Sequence, residues 1–153
     1  MTSQAPDGFH PSRLSPAAAP AAPRTRLHHI RADALDADTA QTTGMRRFAA
    51  ISGAAVGSER IWMGRTHVAP ATASADHHHG ASETAIYVVS GHPEFVFAED
   101  VDGSPREIRL RTAPCDYIFV PPFVPHREEN PDPESEAVVV IARSTQDAIV
   151  VNL

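Results

Sequence analysis

Residues 76–91 read DHHHGASETAIYVVSG, and the rest of the chain is organised around them. Three adjacent histidines, a glycine and a glutamate lead into an apolar run typical of a β-strand. Imidazole and carboxylate are the donor groups that hold mid-row divalent metals. The useful spacing is His77-x-His79-x3-Glu83. On extended backbone alternate side chains share a face, so 77, 79 and 83 point one way and His78 the other. Gly80 is the residue at which that register can bend.

A second stretch, residues 115–130, reads CDYIFVPPFVPHREEN. A short apolar strand over 117–120 runs into a turn stiffened by Pro121, Pro122 and Pro125, and then His126. Proline fixes φ and cannot continue a ladder. The turn therefore delivers His126 to a defined place, as a fourth ligand requires.

The two stretches resemble the paired motifs of the cupin family, G-x5-HxH-x3,4-E-x6-G and G-x5-P-x-G-x2-H-x3-N. His77, His79, Glu83, Gly91, Pro121, His126 and Asn130 carry the resemblance. It implies an all-β fold, a cupin-type β-barrel of jelly-roll form, with His77, His79, Glu83 and His126 as metal ligands. The chain departs from the family at positions that shape the backbone. Ala71, Cys115 and Phe123 stand where the family has glycine. The gap from Glu83 to Gly91 is one residue longer than the family's, which predicts a β-bulge there.

With 153 residues the chain suits one domain, and 42% hydrophobic with 21% charged residues is ordinary for a soluble globule. The net charge of −6 argues against nucleic acid and against an anionic membrane surface. Cys115 is the only cysteine, so no intramolecular disulfide is possible. There is no signal-peptide pattern and no apolar run of membrane-spanning length, and the cytoplasm is the expected compartment. Residues 1–26 are rich in Pro, Ala and Ser, the composition of a flexible tail or of an arm lying on a partner subunit. Residues 27–153 are read as a single barrel, and a homodimer is the expected assembly.

Alternating apolar residues and turn signals predict strands over 27–31, 45–52, 60–68, 83–89, 94–98, 106–111, 117–120, 136–142 and 147–153. His28 and His29 are surface residues, since no further ligand follows at metal spacing. Trp62, Gly64, Thr66 and Val68 share one face of their strand, and Trp62 is read as core. If Glu83 is a ligand, Tyr87 faces inward with it, either as the candidate proton donor of the pocket or as a tyrosine of the barrel core. The charged residues 127–134 are read as a solvated loop, and 136–142 as a strand buried on both faces.

Three imidazoles and one carboxylate around a divalent cation leave a net charge of about +1 and about two open positions. Such a site favours small anionic substrates. Nitrogen-rich ligation suits a transition metal, with iron ranked first and Mn, Ni, Zn or Cu as alternatives. The resemblance implies a metal-dependent enzyme, with dioxygenase-type oxidation ranked first. Lewis-acid isomerase, cyclase or lyase chemistry is the alternative, as is small-molecule binding without catalysis. Cys115 is better explained as a small turn residue than as a nucleophile.

Overall fold

In a computed structural model of the chain, the structure describes residues 26–146 and 150–153. The segment expected as an N-terminal arm lies outside the described residues, apart from Arg26. The elements in chain order begin with β1 (Met45–Ile51), α1 (Gly53–Val56), β2 (Trp62–Val68), β3 (Thr72–Ala73), β4 (His77–His78) and β5 (Thr84–Ser90). They continue with β6 (Glu94–Val101), β7 (Ser104–Arg111), β8 (Tyr117–Val120), β9 (His126–Asn130), β10 (Ala137–Arg143) and β11 (Val151–Asn152). All the pairings between strands are antiparallel, and they form two sheets in the orders β1-β2-β10-β5-β8 and β11-β4-β9-β6-β7, with β3 pairing β9.

Period-two alternation explains which side chains enter the space between the sheets. Trp62, Gly64, Thr66 and Val68 of β2 are buried, while Arg65 and His67 between them are half-buried on the outer face. Ala49, Trp62, Ile86, Val88, Phe95, Val120, Val139 and Ile141 form the main apolar core. On β10 the alternating residues Val138, Val140 and Ala142 are only half-buried, so that strand is covered fully on one face rather than on both. Residues 27–31 form no strand, and His28 and His29 are exposed. Between β1 and β2 the chain makes the single turn of α1, capped by Ser52, whose Oγ accepts from the Ala55 N–H at 3.1 Å. Residues 147–149 of the last expected strand lie outside the described residues, and Val151 and Asn152 pair with His78 and His77.

The stretch after His126, expected as a loop, is instead strand β9 as far as Asn130. Its outward residues join a charged ladder across β6, β7 and β9. Arg109 donates to Glu94 at 2.6 Å and to Glu129, and Arg127 donates to Glu129 at 2.6 Å and to Glu107 at 3.1 Å. Arg109 is the main cause that holds the Glu129 carboxyl below its ordinary range. A carboxylate held low stabilises the fold above its unfolded pKa, and that contribution is lost as pH falls through the folded value. The group is near the surface, so the contribution is small. Glu129→Gln is expected to lower stability by about 1 kcal/mol or less at pH 7. The deficit should vanish in strongly acid buffer, as read by urea unfolding at the two pH values.

Candidate metal centre

The site is built where the two motif segments meet. His77 on β4 lies directly opposite His126 on β9 in the ladder, which brings their rings to 4.7 Å between centroids. His79, just beyond β4, completes the group, with its ring 5.0 Å from that of His77 and 5.1 Å from that of His126. All three are buried, and they offer nitrogen atoms that lie within 4.8 Å of one another. His78 faces away, where its ring lies 6.0 Å from that of Phe123. The Phe123 N–H donates to the Gly80 carbonyl at 2.8 Å, tying the proline turn to the histidine loop.

The local hydrogen bonds fix which nitrogen each ring presents. His77 Nδ1 lies 2.8 Å from the Ala75 carbonyl and His126 Nδ1 lies 3.0 Å from the Val124 carbonyl. A carbonyl only accepts, so both Nδ1 atoms carry the proton. The lone pair of the neutral ring is then on Nε2. His126 Nε2 is buried and has no protein partner. Burial is the main cause that holds the His77 imidazole below its ordinary pKa, which keeps the ring neutral as a ligand must be. Three buried imidazoles with nitrogens within 4.8 Å of one another fit a divalent transition ion.

Glu83 is not brought to this group, which corrects the four-ligand expectation. The chain between His79 and β5 is not extended. Gly80 takes φ +56, and the Ser82 N–H donates to the His79 carbonyl at 3.1 Å, closing a turn. Parity counted from His79 is lost across that turn. Thr84, Ile86 and Val88 therefore face inward, while Glu83 is exposed and its backbone N–H donates to Ser144 Oγ at 3.0 Å. Thr84 occupies the inward place, and its Oγ1 is buried without a protein partner. The same parity carries Tyr87 to the outer face. There its hydroxyl donates to Cys115 Sγ at 3.4 Å and its ring lies 5.0 Å from Tyr117, so it does not face the pocket. That hydrogen bond to Cys115 is the main cause that raises the Tyr87 pKa.

The structure adds residues that were missed. Glu128, two places after His126, is on the same inward face of β9 and is buried. Arg47 enters from β1 and Arg143 from β10, both buried. Burial is the main cause that pushes the Arg143 guanidinium down to about 10, and the charge of Arg47 adds to it while Glu128 opposes. A signal for all three was present. Each continues the alternation of an apolar or ligating face, Met45-x-Arg47-x-Ala49, His126-x-Glu128-x-Asn130 and Val139-x-Ile141-x-Arg143. On its other side His126 borders an apolar cavity of about 300 Å³ lined by Phe95, Phe97, Leu110, Ile118 and Val124.

The expected β-bulge is present: the β5–β10 register slips between Val138↔Ser90 and Val139↔Val88. The three residues standing at glycine positions keep a glycine-like backbone, with φ of 50° at Ala71, 76° at Cys115 and 61° at Phe123.

The same arrangement of strands occurs in solved structures. Recombinant oxalate oxidase in complex with glycolate aligns with a TM-score of 0.62 at 17% identity, covering 76% of this chain and 61% of that one. The S161A mutant of Bacillus subtilis oxalate decarboxylase aligns with a TM-score of 0.59 at 20% identity, covering 74% of this chain and 29% of that one. Peruvianin-I, described as a cysteine peptidase from Thevetia peruviana latex, aligns with a TM-score of 0.58 at 14% identity, covering 72% and 67%. The chain thus spans about three fifths of the oxalate oxidase and under a third of the decarboxylase. No family model and no curated protein sequence matches this one. The oxalate oxidase and the decarboxylase are cupins, and this chain has the cupin fold. Within that fold it carries three clustered histidines, with a threonine and not a glutamate on the inward face of the strand that follows them. Among the described residues, no helix is long and apolar enough to cross a membrane.

Proposed function

We propose that this protein is a metal-dependent enzyme that transforms a small anionic organic molecule, with His77, His79 and His126 as the protein ligands of one divalent transition ion. The convergence of three buried nitrogen donors within 4.8 Å carries this reading. With Glu83 outside, three neutral imidazoles leave the full charge of about +2 on the ion and about three positions for substrate and co-substrate. That strengthens the preference for anions. Manganese joins iron as a favoured metal, since the decarboxylase neighbour is described with Mn(II) centres.

The ion supplies either dioxygen activation or Lewis-acid polarisation. The protein's own residues do the rest. His77 and His126 are oriented through Nδ1 by backbone carbonyls, which holds their lone pairs on the site without rearrangement. The apolar cavity beside His126 offers a non-polar surface to one side of the bound molecule. Dioxygenase-type oxidation is the first reading. Lewis-acid chemistry is favoured as the second by the missing carboxylate ligand, because a more positive ion polarises a carbonyl more strongly.

The test is metal analysis of the purified protein, followed by reconstitution with iron or manganese and oxygen-uptake measurements against small hydroxy, keto and dicarboxylic acids. One transition ion per chain with substrate-dependent uptake is the expected result. Turnover that persists without oxygen selects the second reading. Absence of stoichiometric metal after reconstitution sinks both.

A further inference from the structure

Among the described residues, the interior beside the histidines holds more positive charge than its neighbours offset. Arg47 is 7% exposed and Arg143 is 5% exposed. A buried guanidinium is costly unless it is paired. Glu128 is the buried carboxylate that lies near them, yet none of the salt bridges among the described residues joins it to either arginine. Arg47 does donate from Nη1 to Thr42 Oγ1 at 2.8 Å and to the Ala40 carbonyl at 3.3 Å, but those acceptors are neutral. Arg143 lies over the Trp62 ring, 5.4 Å from its centroid, and the Nε atoms of both arginines are buried without a partner. Among the described residues, one buried carboxylate stands against two guanidinium groups, an excess of positive charge even before a metal ion is counted.

Each arginine also has an unpartnered hydroxyl beside it on the same inner surface. Arg47 stands opposite Thr66 in the β1–β2 ladder, and Arg143 stands opposite Thr84 in the β10–β5 ladder. Thr66 Oγ1 and Thr84 Oγ1 are both buried without a partner. Buried polar groups in native folds are normally satisfied, so a cluster of orphans indicates a polar ligand. Donors outnumber acceptors here, and guanidinium donors match the two oxygens of a carboxylate.

We infer that Arg47 and Arg143, with Thr66 and Thr84, form an anion site inside the barrel that holds a carboxylate of the bound molecule remote from the histidine cluster. The ligand is then a small organic acid with two functional ends, a donor group for the metal and a carboxylate for the arginines. The assignment of that acid as substrate rests on the metal-enzyme reading above, whereas the anion site itself stands without metal.

The experiment titrates malonate, and separately neutral malonamide, into chelator-stripped full-length protein by calorimetry. Trp62, the only tryptophan, provides a local fluorescence readout beside Arg143. Malonate should bind at least about tenfold more tightly than malonamide, and Arg47→Met and Arg143→Met should each weaken malonate by about tenfold or more. Metal content after reconstitution should stay at the wild-type level in both variants. Arg143→Met should melt no lower than wild type in anion-free buffer, because it removes a buried charge. Should that variant fail to fold, Arg143→Lys keeps the charge without the planar fork and is expected to weaken malonate by about threefold or more while leaving malonamide unchanged, and malonate binding within about twofold of wild type overturns the inference. Equal binding of the diamide, or no detectable malonate binding, overturns the inference. So do methionine variants within about twofold of wild type. Arginine-dependent malonate binding in a protein that takes up no metal would sink the metal-enzyme reading alone, and full metal occupancy with arginine-independent binding would sink this one alone.

Discussion

Replacing His126 with alanine is expected to lower the affinity for manganese or iron by at least roughly a hundredfold, the upper end of what even the outer partners of a ligand are worth. Glu83→Ala leaves that affinity within about twofold, since surface changes away from a site have small effects. The contrast follows from placement. His126 is buried and offers a nitrogen within 4.8 Å of those of two other imidazoles, whereas Glu83 is exposed at the rim of β5. Removing one of three ligands leaves a pair of histidines, which hold a mid-row ion weakly. Equilibrium dialysis with metal quantification checks both variants. An equal loss in the two would place the carboxylate in the coordination shell after all and refute the three-histidine description.

The second large effect is on stability, with opposite signs at two positions that share a backbone conformation. Gly91 has φ +79, and a β-carbon built there would lie 2.8 Å from Ala137 Cα, a backbone atom that cannot step aside. Gly91→Ala is expected to destabilise by about 2–4 kcal/mol, the left-handed penalty plus a forced backbone shift. Ala71 already carries that penalty at φ 50, and its N–H donates to the Asp132 carbonyl at 2.8 Å, which holds the turn in place. Ala71→Gly should therefore stabilise by roughly 0.5–1 kcal/mol, as relief of strain outweighs the added freedom of the unfolded chain. Urea unfolding of the two variants measures both. Destabilisation in each would mean that Ala71 contributes packing that its exposed position does not suggest.

How much could be read in advance depended on whether the backbone stayed regular. The three histidines were legible because HxH spans one alternation and because the prolines before His126 leave it a single path. Glu83 was misplaced because the turn at Gly80 resets the parity, and the spacing held the clue. Counted back from Gly91, the family's interval of six residues ends on Thr84, so Thr84 and not Glu83 holds the place of the family's carboxylate. Tyr87 went wrong with it, since one slip moves every side chain of a strand to the other face. Glu128 was hidden by its neighbours. Arg127 and Glu129 look solvated because they are outward residues of a strand whose inward face is His126, Glu128 and Asn130. Arg47 and Arg143 were passed over because a charged residue on an apolar face contradicts the usual pattern. Such contradictions between local pattern and burial tend to mark functional places.

The pairing of His77 with His126 has a consequence for how the protein matures. The two halves of the site are far apart along the chain and become neighbours only when β4 and β9 zip together. No local fragment can present the full donor set, so an ion has little to grip until long-range closure is complete. An ion seated there would act as a late staple across that seam, slowing reopening more than it hastens assembly.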